Sequence, residues 1–494
     1  MRLDDLDQET LLKAAKLLES ENRKLIDMLL EARRELSEAK GKSSFQLALE
    51  VEDLQQQLEQ RNRMLFGKSS EKRAGETKAD ASQPKKQTGH GPHAQPKLPE
   101  IEVVHELDAA DAVCSACGGQ LEEWEGQTED SDEIESVQRC FAILHHKRKK
   151  YRCQCGGCVE TAPGPKKLIA GGRYATSVAV AIAVDKYADH LPLDRQAQIM
   201  NRQGLAIESQ TLWDQIDALA KHLQPAYERL HSYVLSKDVL GVDETTWQLM
   251  GHRGKPSKRW YTWALCADDA VFYRLDESRS AEAARKIILD FKGTLVSDGY
   301  TAYHALKKQG ANFRIAHCWA HVRRKFIDAE SSAKAPCVEV LDLIGKLYEI
   351  ERVVTGPPAE RLAIRNEESR PIIAQIHRWA LSTTSLPQSP LGKAIGYLSS
   401  LWPGLQVFLD DPNVTLDNNG VERALRGVVV GRKNHYGSRS VRGTEVAALF
   451  YSLVESAKLC GLDPDHYLKT AAAAALDGAN ILLPHELAAT LIAG

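Results

Sequence analysis

Three acidic residues stand where carboxylates could converge on metal. Asp243, followed by Glu244, closes an apolar run (Val239, Leu240, Val242) in the stretch Gly241 to Trp247. Asp298 follows Leu295-Val296-Ser297 and precedes Gly299-Tyr300. Glu422 lies in Asp417-Asn418-Asn419-Gly420-Val421-Glu422-Arg423. Carboxylate oxygens are hard ligands that suit Mg²⁺ or Mn²⁺, and two such ions ~3.5–4 Å apart can activate a nucleophile near neutral pH and relieve charge at a leaving oxygen. That is the chemistry of phosphodiester cleavage, with Asp243, Asp298 and Glu422 as catalytic groups and metal ligands together. Each also has a plain alternative. Asp298 before glycine is a common turn pair, Asp243 could be a surface strand end, and Glu422 could pair with Arg426 one helical turn away.

Such a site needs a scaffold that brings distant residues together. The patterning predicts strands at Val239–Leu249, Arg259–Leu265 and Ala270–Leu275, an amphipathic helix from Ser280 to Phe291, and strands at Thr294–Asp298 and Phe313–His317, the last followed by a helix through Phe326. Three antiparallel strands, a helix and a parallel strand give a ribonuclease-H-like order. The first and fourth strands then lie side by side at the sheet centre, with Asp243 beside Asp298. Strand alternation sends Glu244 to the opposite face, which leaves Asp243 as the ligand. Residues 327–412 read as a helical insertion, before a short helix capped by Asp417 or Asn418 that carries Glu422. His317, Cys318 and His321 resemble a metal cluster, but Trp319 and the helix after it favour a packing or DNA-contact role.

The chain ahead of this segment reads as separate modules. Leu11, Ala15, Leu18, Asn22, Leu25, Leu29, Ala32 and Leu36 alternate four and three apart, the seam of a coiled coil, and a second seam follows from Leu47 to Leu65. The expected division is a coiled coil over 1–66, a flexible linker over 67–104 that is poor in large apolar residues, and a zinc-binding domain over 105–162. Six of the ten cysteines fall between Cys114 and Cys158. Cys114, Cys117, Cys155 and Cys158 form two Cys-x-x-Cys pairs able to hold a structural Zn²⁺, with Cys153 a competitor for Cys155. Residues 163–235 carry a helix, a short turn at Asn201–Ile207 and a helix from Glu208 to Leu219, the outline of a helix-turn-helix. Arg195 and Arg202 there suit phosphate contacts. The catalytic parts are expected over 236–326 and 413–442, and a helical tail over 443–494. After Glu422, the run Gly431 to Arg439 with Arg426, Arg432 and Lys433 reads as a clamp for a DNA end.

Bulk properties are permissive. A length of 494 residues suggests several units, the hydrophobic content of 43% is that of a globular protein, and the net charge of −3 is neutral on nucleic acid. No stretch approaches the ~20 apolar residues of a membrane span, and Met1-Arg2-Leu3-Asp4-Asp5 lacks a signal-peptide profile. A cytoplasmic, nucleoid-associated protein is expected.

Taken together, Leu65-Phe66-Gly67-Lys68-Ser69-Ser70-Glu71-Lys72, the Cys114/Cys117 knuckle, Asp243-Glu244-Thr245, Ser297-Asp298-Gly299-Tyr300, His317-Cys318-Trp319-Ala320-His321, and Asn418-Asn419 to Glu422 with Gly431-Arg432-Lys433-Asn434 resemble, in this order, the insertion-sequence 66 transposase family of bacterial mobile elements. The resemblance runs from about residue 60 to 470; its second cysteine pair is commonly simpler than Cys153/Cys155/Cys158. It implies a DDE-type transposase with Asp243, Asp298 and Glu422 as triad. Water would first free a 3′-hydroxyl at the element end, and that hydroxyl would then attack target DNA. The implied partners are double-stranded DNA, both element ends and target, a second copy or more of the chain, and accessory proteins of the same element. A metal-dependent nuclease of the same fold, or a DNA-binding regulator with an inactive catalytic domain, are the competing readings.

Overall fold

The computed structural model describes residues 141–152, 159–251 and 256–493. The expected coiled coil, the linker and all the candidate zinc ligands lie outside these residues. Within them the chain is mixed α/β around one five-stranded sheet.

A short antiparallel pair comes first, β1 (Lys150–Arg152) with β2 (Val159–Thr161). A strand is expected from Gln138 to His145, but residues 141–149 are irregular. Three helices follow, α1 (Thr176–Tyr187), α2 (Leu193–Arg202) and α3 (Ser209–Leu235). Gly204 (φ +88°) makes the turn between α2 and α3. The last helix runs well past Leu219 and through Pro225, because Leu223, Ala226, Leu230 and Val234 continue its buried stripe.

The sheet is built from β3 (Val239–Leu249), β4 (Lys258–Cys266), β5 (Val271–Asp276), β6 (Thr294–Ser297) and β7 (Arg314–His317), in the order β5-β4-β3-β6-β7. β3, β4 and β5 pair antiparallel; β3–β6 and β6–β7 are parallel. Helix α4 (Ala281–Ile288), capped by Ser280, bridges β5 and β6. It stops three residues short of Phe291, with Leu289 at φ +47°. Between β6 and β7 lies α5 (Thr301–Lys308), a helix not expected from the sequence. α6 (Trp319–Ala329) leaves β7.

The region 327–412 is helical as expected, with α7 (Lys334–Val353), α8 (Pro358–Ile364), α9 (Arg370–Ser382) and α10 (Pro390–Leu405). It packs on the sheet through a core of its own, in which Val296 and Ala316 meet Trp319, Phe326, Leu398 and Leu401.

α11 (Asn419–His435) carries Glu422 and has 17 residues, so it is not short. Gly431, Arg432 and Lys433 therefore lie in this helix. Gly431 is there for contact: a Cβ would sit 1.9 Å from the Tyr451 hydroxyl. The final helices are α12 (Val441–Leu459), α13 (Pro464–Asp477) and α14 (Pro484–Ala493). α12, expected as part of a tail, is a central element. Ser452 and Ser456 hydroxyls accept the Tyr273 and Val271 amides of β5 at 2.8 and 3.0 Å. The main core joins Ala183 and Leu212, from α1 and α3, to Leu240 and Trp263 of the sheet and to Phe450 of α12. Helices α1 and α3 thus share their core with the sheet.

Candidate active site

Parallel pairing sets two carboxylates level. Leu240 pairs with Leu295 and Gly241 with Val296; two residues further, the same register aligns Asp243 with Asp298. Neighbouring strands lie ~4.8 Å apart. Asp298 stands in the turn after β6, where its Oδ1 accepts the Tyr300 N–H at 2.9 Å. Gly299 (φ +89°) allows that turn, and a Cβ on it would meet Leu401 of α10 at 2.7 Å. The Tyr397 hydroxyl, also from α10, donates to the Asp298 carbonyl. Helix α10 thus buttresses this part of the site, which no local pattern in the sequence announces.

Glu422 comes in from the first turn of α11. Asn418 fixes the approach. Its side-chain amide donates to the Val242 carbonyl at 2.9 Å instead of capping the helix, and the Glu422 N–H bonds to the Asn418 carbonyl at 3.3 Å. Gly241 allows the closeness, since a Cβ there would lie 2.6 Å from Asn418 Oδ1. Glu422 Oε1 is 3.7 Å from His321 Nε2, and Oε2 is 4.0 Å from Arg324 Nη2.

The electrostatics report the convergence. Burial pushes the Asp243 carboxyl up to about 7, and the charges of Glu244, Asp298 and Glu422 add to the rise. The Glu244 N–H, held by Asp243 Oδ1 at 2.8 Å, works the other way. Buried like charges crowded together are relieved by a cation. Glu422 Oε1 is buried without a hydrogen-bond partner, a spare acceptor at the same place. An all-oxygen set of Asp243, Asp298 and Glu422 fits Mg²⁺ or Mn²⁺ by donor chemistry.

Cys318, His321 and Glu422 also bring a sulfur, a nitrogen and an oxygen within 4.8 Å of one another. That mixture is typical of zinc, which needs the thiolate. Cys318 is fully buried, and its burial pushes the thiol up to about 12. Its sulfur already accepts the Asn418 N–H at 3.2 Å. The sulfur thus packs against the start of α11, and with His321 and Glu422 it forms a candidate metal group.

Glu244 is turned to other work. Its side chain is 1% exposed, pairs with Arg279, and accepts the Tyr303 hydroxyl at 3.0 Å. Burial raises its carboxyl and Arg279 opposes the rise. Neither Arg279 nor Tyr303 carries a motif that marks it in the sequence.

The candidate DNA-contacting residues divide. Arg195 and Arg202 are exposed on α2, and Arg426 and Lys433 on α11. Arg432 points back at the sheet. Its guanidinium donates to Thr245 Oγ1 at 3.0 Å and Thr246 Oγ1 at 2.7 Å, tying α11 to β3. Among the described residues no helix is long and apolar enough to cross a membrane.

With this geometry in view, similarity to other proteins can be placed. A family model described as "Transposase IS66 family" matches residues 171–446. Three uncharacterized proteins of Sinorhizobium fredii (strain NBRC 101917 / NGR234) are similar along much of their length. y4jD is 36% identical over 390 residues, 75% of this chain and 76% of its own. y4hP is 27% identical over 464 residues, 88% of this chain and 83% of its own. y4qI is 31% identical over 358 residues, 68% of this chain and 66% of its own. The matched family region contains all three carboxylates.

Proposed function

The chain belongs to the IS66 transposase family, and from that premise we propose that it binds the ends of an insertion sequence, cleaves the DNA to free 3′-hydroxyls and joins these to target DNA. The observation that carries this reading is the crowding of Asp243, Asp298 and Glu422, reflected in the raised Asp243 carboxyl. The sheet order, with Asp243 on the central strand β3 and Asp298 just past the end of its parallel neighbour β6, supports a ribonuclease-H-like catalytic domain interrupted by the helices of 327–412.

Asp243, Asp298 and Glu422 would hold two divalent ions. When bound, Mg²⁺ or Mn²⁺ would help activate the attacking oxygen and relieve charge on the leaving one. The chain's own part is positional. β3 and β6 present two carboxylates at a fixed spacing, and α11 brings the third. Tyr397 and Leu401 hold the Asp298 turn, and Arg324 beside Glu422 adds positive charge where a phosphate would approach. Arg195, Arg202, Arg426 and Lys433 are exposed cations suited to DNA phosphates, and Arg432 braces the helix that carries Glu422.

The remaining modules complete the proposal. Cys114, Cys117, Cys155 and Cys158 would hold a structural Zn²⁺, and the seams within 1–66 would pair two or more copies, as holding two DNA ends requires. Accessory proteins of the same element belong to the proposal as well.

The test combines purified full-length protein, labelled element ends, Mg²⁺ and target DNA. Joined products support the transposase reading, nicks without joining favour a nuclease, and shifted but uncut DNA favours a regulator. Asp298→Ala is expected to abolish cleavage while end binding persists. Cleavage retained by that variant overturns the triad.

A further inference from the structure

A cavity of about 660 Å³ opens beside β3, walled by α1, α2, α3 and the turn that follows α11. Trp247 of its wall lies four residues beyond Asp243 on the same strand, roughly 13 Å at the rise of a β-strand. The cavity is thus a neighbour of the candidate active site and not part of it.

Its rim is unusual in one residue. Tyr436 is 72% exposed, and its backbone sits at φ +59°, a conformation that strains an L residue. Tyr436 ends α11 as a left-handed cap, and the segment after it is fastened to β3. Gly437 (φ +95°) passes so close to β3 that a Cβ would lie 2.0 Å from the Gln248 carbonyl. Ser438 N–H donates to the Gln248 carbonyl at 2.9 Å, and Met250 N–H to the Ser438 carbonyl at 2.8 Å. The Trp247 indole donates to Ser438 Oγ at 3.2 Å. A strained, solvent-facing aromatic on a loop fastened this firmly is pre-set for a ligand with a flat apolar face.

The other walls define that ligand. Half-buried Trp213 adds aromatic surface, while Trp247 is buried beneath the wall; Lys186, Arg195 and Arg439 add positive charge, against one acid, Asp194, 4.0 Å from the Arg439 guanidinium. Burial holds the Lys186 ammonium down to about 8, with Asp194 opposing and Arg439 adding to the fall, so an anion here would be welcome. Aromatic faces for stacking combined with cations for phosphate are the means by which proteins hold unpaired nucleotides. The volume falls within the ~300–1,000 Å³ of cavities that enclose a small organic ligand, far too small for a duplex.

We infer that this cavity takes one unpaired deoxynucleotide at a DNA end, its base stacked on Tyr436 and its phosphate met by Lys186 and Arg439. The inference rests on the reading of the chain as a DNA-processing enzyme and adds to it a preference for a frayed or overhanging terminus. A terminal nucleotide is the least costly to unstack, and one already single-stranded costs least of all.

The test measures binding of the full-length chain without added Mg²⁺ or Mn²⁺ and without chelator, so that no catalysis is involved and structural zinc is kept. The probes are a short blunt duplex and the same duplex with one unpaired 2-aminopurine nucleotide on either the 5′ or the 3′ strand. One of the two overhangs is expected to bind about tenfold tighter than the blunt duplex, near the low end of what stacking one base on an aromatic ring contributes. Its 2-aminopurine fluorescence should be quenched on binding. Tyr436→Ala is expected to bring the overhang-to-blunt ratio to about one, and Tyr436→Phe to preserve it. Equal affinity of the wild type for blunt and overhanging ends, or a ratio unchanged by Tyr436→Ala, overturns this inference alone. Failure to bind any of these DNAs overturns both the inference and the transposase reading.

Discussion

Cys318 Sγ accepts the backbone N–H of Asn418 at 3.2 Å. That contact is the middle of a clip that reaches all three candidate metal ligands. The Cys318 N–H donates to the carbonyl of Ser297, next to Asp298, at 3.0 Å. The Asn418 side chain donates to the carbonyl of Val242, next to Asp243, and its own carbonyl receives the Glu422 N–H. The spacing of the three carboxylates is thus set by buried backbone bonds beside them, not by the carboxylates themselves.

The clip can be opened at one point. Asn418→Ala leaves the Val242 carbonyl without its donor in a buried place, which costs about 1–3 kcal/mol. The urea midpoint should fall accordingly. Element-end cleavage should require more Mg²⁺ than in the wild type, because the carboxylates are no longer held together. A variant that loses stability but keeps its Mg²⁺ dependence would show the clip to be structural only. Cys318→Ser, which keeps an acceptor, is expected to lose less.

Asp243 should be a source of instability without metal. Its carboxyl is raised to about 7 in the folded chain, against 3.8 for an ordinary aspartate. The folded protein therefore holds this proton where the unfolded chain has released it. The resulting stability is fully present below pH ~4 and is lost as pH rises through ~7. Without added Mg²⁺ or Mn²⁺ at pH 8, Asp243→Asn should be more stable than the wild type, by at most ~4 kcal/mol at about 1.36 kcal/mol per unit, and the gap should close toward pH 4. Added Mg²⁺ should raise the melting temperature of the wild type and leave Asp243→Asn unmoved. Equal Mg²⁺ shifts in both would remove Asp243 from the ligand set.

Glu244 and Asp243 are adjacent but should behave oppositely. Glu244→Gln keeps an oxygen for the Tyr303 hydroxyl and removes the charge that Arg279 meets; Glu244→Ala removes both. The first should cost about 0.5–1 kcal/mol and the second about 1–3 kcal/mol, since Arg279, 43% exposed, regains water while the buried Tyr303 hydroxyl loses its acceptor. Mg²⁺ affinity should change little in Glu244→Gln, as read from a metal titration of cleavage. A large loss of affinity would place Glu244 among the ligands.

His317 should make the fold acid-sensitive. It is 4% exposed, and burial, reinforced by His304, holds it down to about 4. Between pH 6.5 and 4 the unfolded chain takes a proton that the folded chain refuses. The stability it confers is present above pH ~6.5 and is lost as pH falls through ~4, by up to about 3 kcal/mol. Urea denaturation from pH 8 to 5 should show this slope, and His317→Gln should flatten it. An unchanged slope would assign the acid sensitivity elsewhere.

Much of the scaffold is legible in the amino-acid order, because it is written in local periods. The apolar start Val239–Val242 and the later Trp247 and Leu249 mark β3, and the strand period of two separates Asp243 from Glu244. Strand type and order around Asp243 and Asp298 follow from patterning and connection length. What local patterns carry poorly is the end of an element whose buried stripe continues. α3 runs on through Pro225, and α11 extends to His435 because Gly431 packs on Tyr451.

The tertiary structure alone decides the rest. Cys318 and Asn418 meet across 100 residues of sequence, and Tyr397 reaches Asp298 across 99. α12 is a core helix because Ser452 and Ser456 bond to the amides of β5, although its composition reads as an alanine-rich tail. Arg432 sits in a basic run yet binds Thr245 and Thr246. The sequence by itself determined which residues could do chemistry and which strands present them. Which of those residues meet, which turn away, and that Tyr436 stands over a cavity were decided by packing between distant segments, for which a one-dimensional pattern has no period.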